Sequence, residues 1–173
     1  MTEPKPIIFG HTGATFSRDE NHRFALWRMW DFSLPPVLFI GLNPSRGHAF
    51  YNDHTITRCV AFSKSWHYGG MMFGNLFTLK SPYPALVKAD PEAACHPHNN
   101  EWLLYMIALA GPVVVCWGSW DFIEKRKHEV IALVRSIKQP LCFGLTKDGS
   151  PKHPARLNGK SQLIEFPTKP ILI

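Results

Sequence analysis

The run Val37-Leu-Phe-Ile-Gly-Leu-Asn-Pro-Ser45, set off by Pro35-Pro36, constrains the fold of this chain more than any other stretch. Its apolar residues do not alternate with polar ones, which suits a strand buried on both faces. Gly41 and Pro44 then turn the chain just past the strand's carboxyl end. Open α/β sheets bind ligands at that edge, so Asn43 stands where chemistry is done in such folds.

Three further apolar runs repeat the pattern: 71–79, 112–118 and 140–145. Between them, helical spacing predicts helices from Asp53 or Thr55 to His67, over 100–110 and over 120–138. In the last of these Ile123, Val130, Ile131 and Val134 face inward, with Glu124, Lys125, Arg126 and Lys127 outward. Residues 7–16 and 23–30 flank a turn-rich piece. In the second arm Phe24 and Leu26 alternate with Arg23 and Arg28, as in a half-buried antiparallel strand or hairpin. A Pro-rich loop is expected from Ser81 to Asn99. The order of elements predicts one α/β domain over 1–173: a three-layer α/β/α sandwich with a mainly parallel four-stranded central sheet and an N-terminal antiparallel hairpin.

Composition narrows the function classes. The 173 residues are 45% hydrophobic, enough for a folded domain with its own core. A formal charge of +6 favours a polyanionic partner such as nucleic acid. Cys59, Cys95, Cys116 and Cys142 form no C-x-x-C pair, so free thiols and a cytoplasmic location are expected. No signal-peptide core or membrane-length apolar stretch is visible, and no membrane partner is expected. Cys95-His96-Pro97-His98 lacks a second ligand pair and reads as a surface loop rather than a metal site. No Gly-x-Gly-x-x-Gly or Walker loop is present, so no cofactor is implied.

All four strands lead into loops with reactive or polar residues: Asn43-Pro-Ser45, Asn75, Trp117-Gly-Ser119 and Lys152-His-Pro154. In a parallel sheet these ends share one edge, which lets Asn43, Asn75 and His153 converge on one pocket. A carboxamide offers donor and acceptor together, which suits the edge of a nucleobase. A histidine stabilises negative charge or exchanges a proton near neutral pH. Phe50, Tyr51 and Phe77 are candidates to stack on a planar ring. Lys147, Lys152, Arg156 and Lys160 lie in and beyond the last loop, where they flank His153 as candidate phosphate contacts.

These motifs carry a resemblance. Arg23-Phe-Ala-Leu-Trp-Arg-Met-Trp-Asp31, Gly41-Leu-Asn-Pro-Ser, Thr57-Arg-Cys, Tyr68-Gly-Gly, Gly74-Asn-Leu-Phe, Trp117-Gly and Gly144-Leu-Thr-Lys-Asp-Gly-x-Pro-Lys-His-Pro look like the bacterial and phage family called domain of unknown function 1643. More distantly, Gly41-Leu-Asn-Pro resembles the Gly-Ile-Asn-Pro motif of mismatch-specific uracil-DNA glycosylases. Asn75, Val114-Val-Cys-Trp-Gly118 and His153-Pro-Ala-Arg-Leu157 are similar to later motifs of that superfamily, in the same order.

The resemblance implies a monomeric, cofactor-free DNA glycosylase that flips a damaged or modified base, such as a phage-type one, and hydrolyses its N-glycosidic bond. Asn43 would orient the attacking water and His153 would stabilise the leaving base. Gly41, Leu42, Pro44 and Ser45 would shape the pocket, Asn75 would read the base, and Phe50, Tyr51 or Phe77 would stack on it. Lys147, Lys152, Arg156 and Leu157 would contact DNA, with Arg156 or Leu157 wedged into the duplex. Two departures stand out. The acidic water-activating residue of the fastest members is missing from the first motif, and Ala155 replaces a serine in the last. A non-catalytic reader of modified bases or nucleotides, and a hydrolase of small nucleosides or nucleotides, are the competing expectations.

Overall fold

The computed structural model describes residues 5–6, 10–45 and 49–167. Part of the first expected arm, 7–9, lies outside them. Seven strands form one mixed sheet: β1 (Thr12–Phe16), β2 (Arg23–Met29), β3 (Pro36–Gly41), β4 (Gly70–Asn75), β5 (Val113–Val115), β6 (Pro140–Cys142) and β7 (Ile164–Glu165). Their spatial order is β1-β2-β4-β3-β5-β6-β7. The centre, β4-β3-β5-β6, is parallel, and the outer pairs β1·β2, β2·β4 and β6·β7 are antiparallel. The four parallel strands fall on the four unbroken apolar runs.

Four helices cover the two faces: α1 (His54–Ser65), α2 (Pro84–Ala89), α3 (Asn99–Leu109) and α4 (Glu124–Arg135). Leu38 and Ile40 of β3 point into one core with Trp102, Leu103 and Met106 of α3 and Val130 and Val134 of α4. Val37 and Phe39 point into the other, with Ile56, Cys59 and Phe62 of α1. That alternation into two separate cores is why β3 reads as continuously apolar. The connection through α1 crosses one face and the connection through α3 crosses the other, so the chain reverses direction across the sheet at β3. Ligands bind outside the carboxyl ends of strands at such a point.

Four expectations are corrected. β2 lies between β1 and β4 with nearly every residue buried, so it is an interior strand rather than a half-buried one. Its Arg23 and Arg28 are buried too. The Ser81–Asn99 segment contains α2, which starts at Pro84, where a proline's missing N–H costs nothing. Arg126 faces inward: its Nε donates to Leu76 O at 2.7 Å and its Nη1 to Asn100 Oδ1 at 2.7 Å. The second apolar run ends as a strand at Asn75, and buried residues 76–78 continue as a loop.

Candidate functional site

The carboxyl ends of β3 and β4 are in register, with Gly41 paired to Asn75. Both Cα atoms therefore present their substituents to the α1 side of the sheet. A Cβ on Gly41 would lie 3.1 Å from Asn75 Oδ1 and 2.8 Å from Phe73 Cε1. Glycine is required here because the Asn75 amide lies over the neighbouring backbone. Backbone bonds continue past the strands, from Leu76 N to Gly41 O and from Phe77 N to Leu42 O, each 2.9 Å.

Beyond this edge lies a cavity of about 200 Å³. Gly41, Leu42, Asn43, Ser45, Asn75 and His153 all line it, together with Arg23, Asp53, Trp117 and Trp120. The structure thus brings Asn43, Asn75 and His153 to one place. Their states differ. Asn75 is 2% exposed, and neither its Nδ2 nor its Oδ1 has a hydrogen-bond partner. A buried amide without partners costs about 1–3 kcal/mol, and its retention beside a cavity marks a group kept for a ligand.

Asn43 is engaged. Its Nδ2 donates to Ser81 O at 2.9 Å and to Leu79 O and Pro44 O at 3.2 Å each. Three carbonyl acceptors fix which end of the amide is nitrogen, and leave Oδ1 as the end available to the cavity. Asn43 therefore pins the loop after β4 against the end of β3, assisted by Ser81 N donating to Pro44 O at 2.8 Å.

His153 opens a short 3-10 turn, Pro154–Arg156. Its Nδ1 accepts the backbone N–H of Ala155 at 3.3 Å, which places the proton of the neutral ring on Nε2. The residue is exposed along one side, yet crowding of the ring by protein lowers its pKa, as does Arg156, while the Asp53 charge opposes both. The 3-10 turn is anchored to α1: His54 Nε2 bonds Ala155 O at 2.9 Å, and the Arg58 guanidinium donates to Leu157 O. On the other side, Asp148 accepts the hydroxyls of Ser119, Thr146 and Ser150, which holds its carboxyl well below the usual range. Gly118, with φ +79°, donates its N–H to Pro151 O at 3.0 Å, joining the β5 end to the His153 loop.

Two charged residues missed by sequence reasoning complete the cavity. Asp53 accepts Ser45 Oγ at 2.8 Å and caps α1 by accepting Ile56 N at 2.8 Å. It supplies a carboxylate that the first motif lacks. The other is Arg23, 3% exposed, with its pKa lowered by burial to about 10 against the opposing pull of Asp53. A Ser followed eight residues on by a helix-capping Asp offers a sequence signal for Asp53. Nothing comparable flags Arg23.

The remaining predicted residues lie elsewhere. Phe77 is 2% exposed and packs into the core beside Phe122, away from this cavity. Phe50 and Tyr51 are 77% and 75% exposed and do not line it. Pro44 is buried just behind it. Lys147, Lys152 and Arg156 are exposed outside the cavity, as phosphate contacts would need to be. Leu157 packs against the α1-side core, so it does not project as a wedge. All four cysteines are free, with burial raising the thiol pKa of Cys59, Cys95, Cys116 and Cys142. Among the described residues no group of three His, Cys, Asp or Glu side chains is placed to hold a metal ion. No helix there is long and apolar enough to cross a membrane.

No curated protein and no solved structure matches the chain. A family model does, described as protein of unknown function (DUF1643), over residues 23–155. That span opens at Arg23 and closes two residues after His153, so it takes in every strand end that builds the cavity. The chain belongs to the DUF1643 family.

Proposed function

We propose that this protein is a DNA glycosylase-like enzyme whose cavity receives a base flipped from DNA and hydrolyses its N-glycosidic bond. The observation that carries the reading is the buried, unpartnered Asn75 amide in a cavity shared with Asn43 and His153. A carboxamide presents an NH2 group with two N–H donors beside a carbonyl acceptor, the complement of a nucleobase edge. Asn43 Oδ1 is the acceptor available to orient a water. The neutral His153 ring, with its proton on Nε2, donates to negative charge as it develops on the departing base. Trp120, on the cavity wall, offers an aromatic face in place of Phe50, Tyr51 and Phe77. The exposed Lys152 and Arg156 next to His153, with the net charge of +6, suit the flanking phosphates.

The test is incubation with oligonucleotides carrying uracil, mismatches and phage-type modified bases, followed by alkali. Nicking of at least one by wild type, with loss in Asn43→Ala and His153→Ala, is the expected outcome. Failure to nick any of them, or undiminished cutting by both variants, overturns the reading. One observation favours a base reader without hydrolysis: both Asp53 oxygens and the Asn43 Nδ2 already hold protein groups. Salt-sensitive DNA binding with no base release would select it.

A further inference from the structure

We infer that the partner of this cavity is single-stranded DNA, held by exposed aromatic rings that stack on the bases next to the one inside. The inference rests on the cavity being a base pocket, and it adds the form of the strand that delivers the base.

Three separate segments hold a ring in or beside the cavity. Trp120 lines the cavity and is exposed, and its Nε1 donates to Trp117 O at 2.6 Å, which fixes the indole in place. Tyr83, 61% exposed, stands between Pro82 and Pro84, which both line the cavity. Its N–H donates to Ser81 Oγ at 3.0 Å, so its backbone is held as well. Phe50, the most exposed of the three, is three residues from Asp53 on the cavity wall, a span of at most about 11 Å. The buried Arg28 anchors that segment, because its Nε donates to Asn52 Oδ1 at 2.8 Å. Single exposed apolar residues are ordinary on a protein surface, but three rings on anchored supports around one cavity are not.

The chemistry then selects an unpaired strand. A duplex keeps its bases stacked inside and offers a protein its phosphates and groove edges, so rings beside the pocket would meet no base face. An unpaired strand offers a face at every nucleotide, and each base stacked on an aromatic ring contributes about 1–3 kcal/mol. It also yields a base to a pocket at less cost than a duplex does, because no pair is broken. The duplex wedge is reduced to match: Leu157 packs against the α1-side core, and of the two expected wedges only Arg156 is exposed. Around His153, residues 144–160 carry four Lys or Arg against a single acid, Asp148. That basic segment suits the phosphates of the same strand.

The experiment measures binding of a short, labelled, mixed-sequence DNA oligonucleotide to the full chain by fluorescence anisotropy. The strand is offered alone and annealed to its complement, at one fixed salt concentration. Wild type should bind the single strand at least about tenfold more tightly than the duplex. Phe50→Ala and Tyr83→Ala should each weaken single-strand binding about fivefold or more and leave duplex binding unchanged. Phe50→Trp, which keeps a ring, should bind as wild type does. Both positions are exposed, so the alanine variants remove no core contact. Equal affinity for the two forms, preference for the duplex, or no detectable binding of either overturns the inference. So do alanine variants that bind the single strand as tightly as wild type, or that weaken both forms alike. Base release that is faster from duplex than from single strand would sink this inference and leave the glycosylase reading standing. A single-strand preference that depends on the rings, without base release, would sink hydrolysis and leave this inference standing.

Discussion

Two cavities among the described residues flank the Asn75–Leu76 segment, and the smaller is the better candidate site. The larger, about 620 Å³, lies among Phe77, Pro91, Phe122 and Arg126. Its Arg126 is engaged through two of its three nitrogens, donating to Leu76 O and Asn100 Oδ1 and pairing with Glu129 at 2.8 Å, while Nη2 has no partner. Asn99, buried nearby, donates through Nδ2 to Asn75 O at 3.1 Å and Leu76 O at 3.2 Å, and only its Oδ1 lacks a partner. These groups hold the backbone from behind. In the smaller cavity the Asn75 side chain on that same backbone has no partner. Volume follows how helices happen to meet, whereas an amide left wholly without partners beside a cavity has a cost that a bound polar molecule offsets.

Substitution of the two buried asparagines should separate these roles. Asn75→Ala should lower base release about a hundredfold or more, because a site built to hydrogen-bond its substrate depends steeply on that bond. It should leave stability within about 1 kcal/mol of wild type, since no protein hydrogen bond is lost. Asn99→Ala should do the reverse. Loss of its two buried bonds should cost about 1–3 kcal/mol in urea denaturation while activity of the folded fraction persists. Should Asn75→Ala destabilise as much as Asn99→Ala, the contrast between the cavities fails.

Gly41→Ala sharpens the same contrast from the backbone side. The added methyl meets Phe73 and the Asn75 amide, so it should displace that amide and reduce base release about tenfold, at a cost of about 1–3 kcal/mol from overpacking. A substitution near the larger cavity has no such route to the chemistry.

The pH dependence follows from His153. Burial, the largest influence, lowers its pKa below the ordinary 6.5. In the proposed reaction the neutral ring is the donor, so base release should be flat above neutrality and fall on acidification, with a midpoint below 6.5. Folding stability should move the same way. Below pH 6.5 the unfolded chain binds a proton that the folded ring does not, so His153's contribution to stability falls until pH passes the folded pKa. A midpoint above 6.5 would mean that the Asp53 charge dominates. The smallest effect belongs to the exposed cations: Lys152→Ala and Arg156→Ala should each reduce the salt slope of DNA binding by about one if each contacts a phosphate.

The parallel strands were legible because burial on both faces removes polar residues from the run, as in β3 and β4. Asn43, Asn75 and His153 were legible because strand ends of a parallel sheet share one edge. Side-chain direction beyond the strands was not. Phe77 sits one residue past Leu76 in a loop whose backbone turns it into the core, and residue type alone does not reveal that. Arg23 reads as the polar member of an alternating strand. Only the extra residue at Phe24, a property of pairing with β1, turns it inward. Arg126 was hidden for a related reason: a long side chain on a helix's polar face can reach back to a buried carbonyl.

The most direct test is to observe the Asn75 side-chain amide itself. Its two Nδ2 protons can be assigned in a nitrogen–proton correlation spectrum by their loss in Asn75→Ala, and those of Asn99 likewise. Titration with free uracil should shift the Asn75 pair with saturation and leave the Asn99 pair in place. An Asn75 pair that stays still while the base binds, or one that moves no more than the Asn99 pair, would contradict the account.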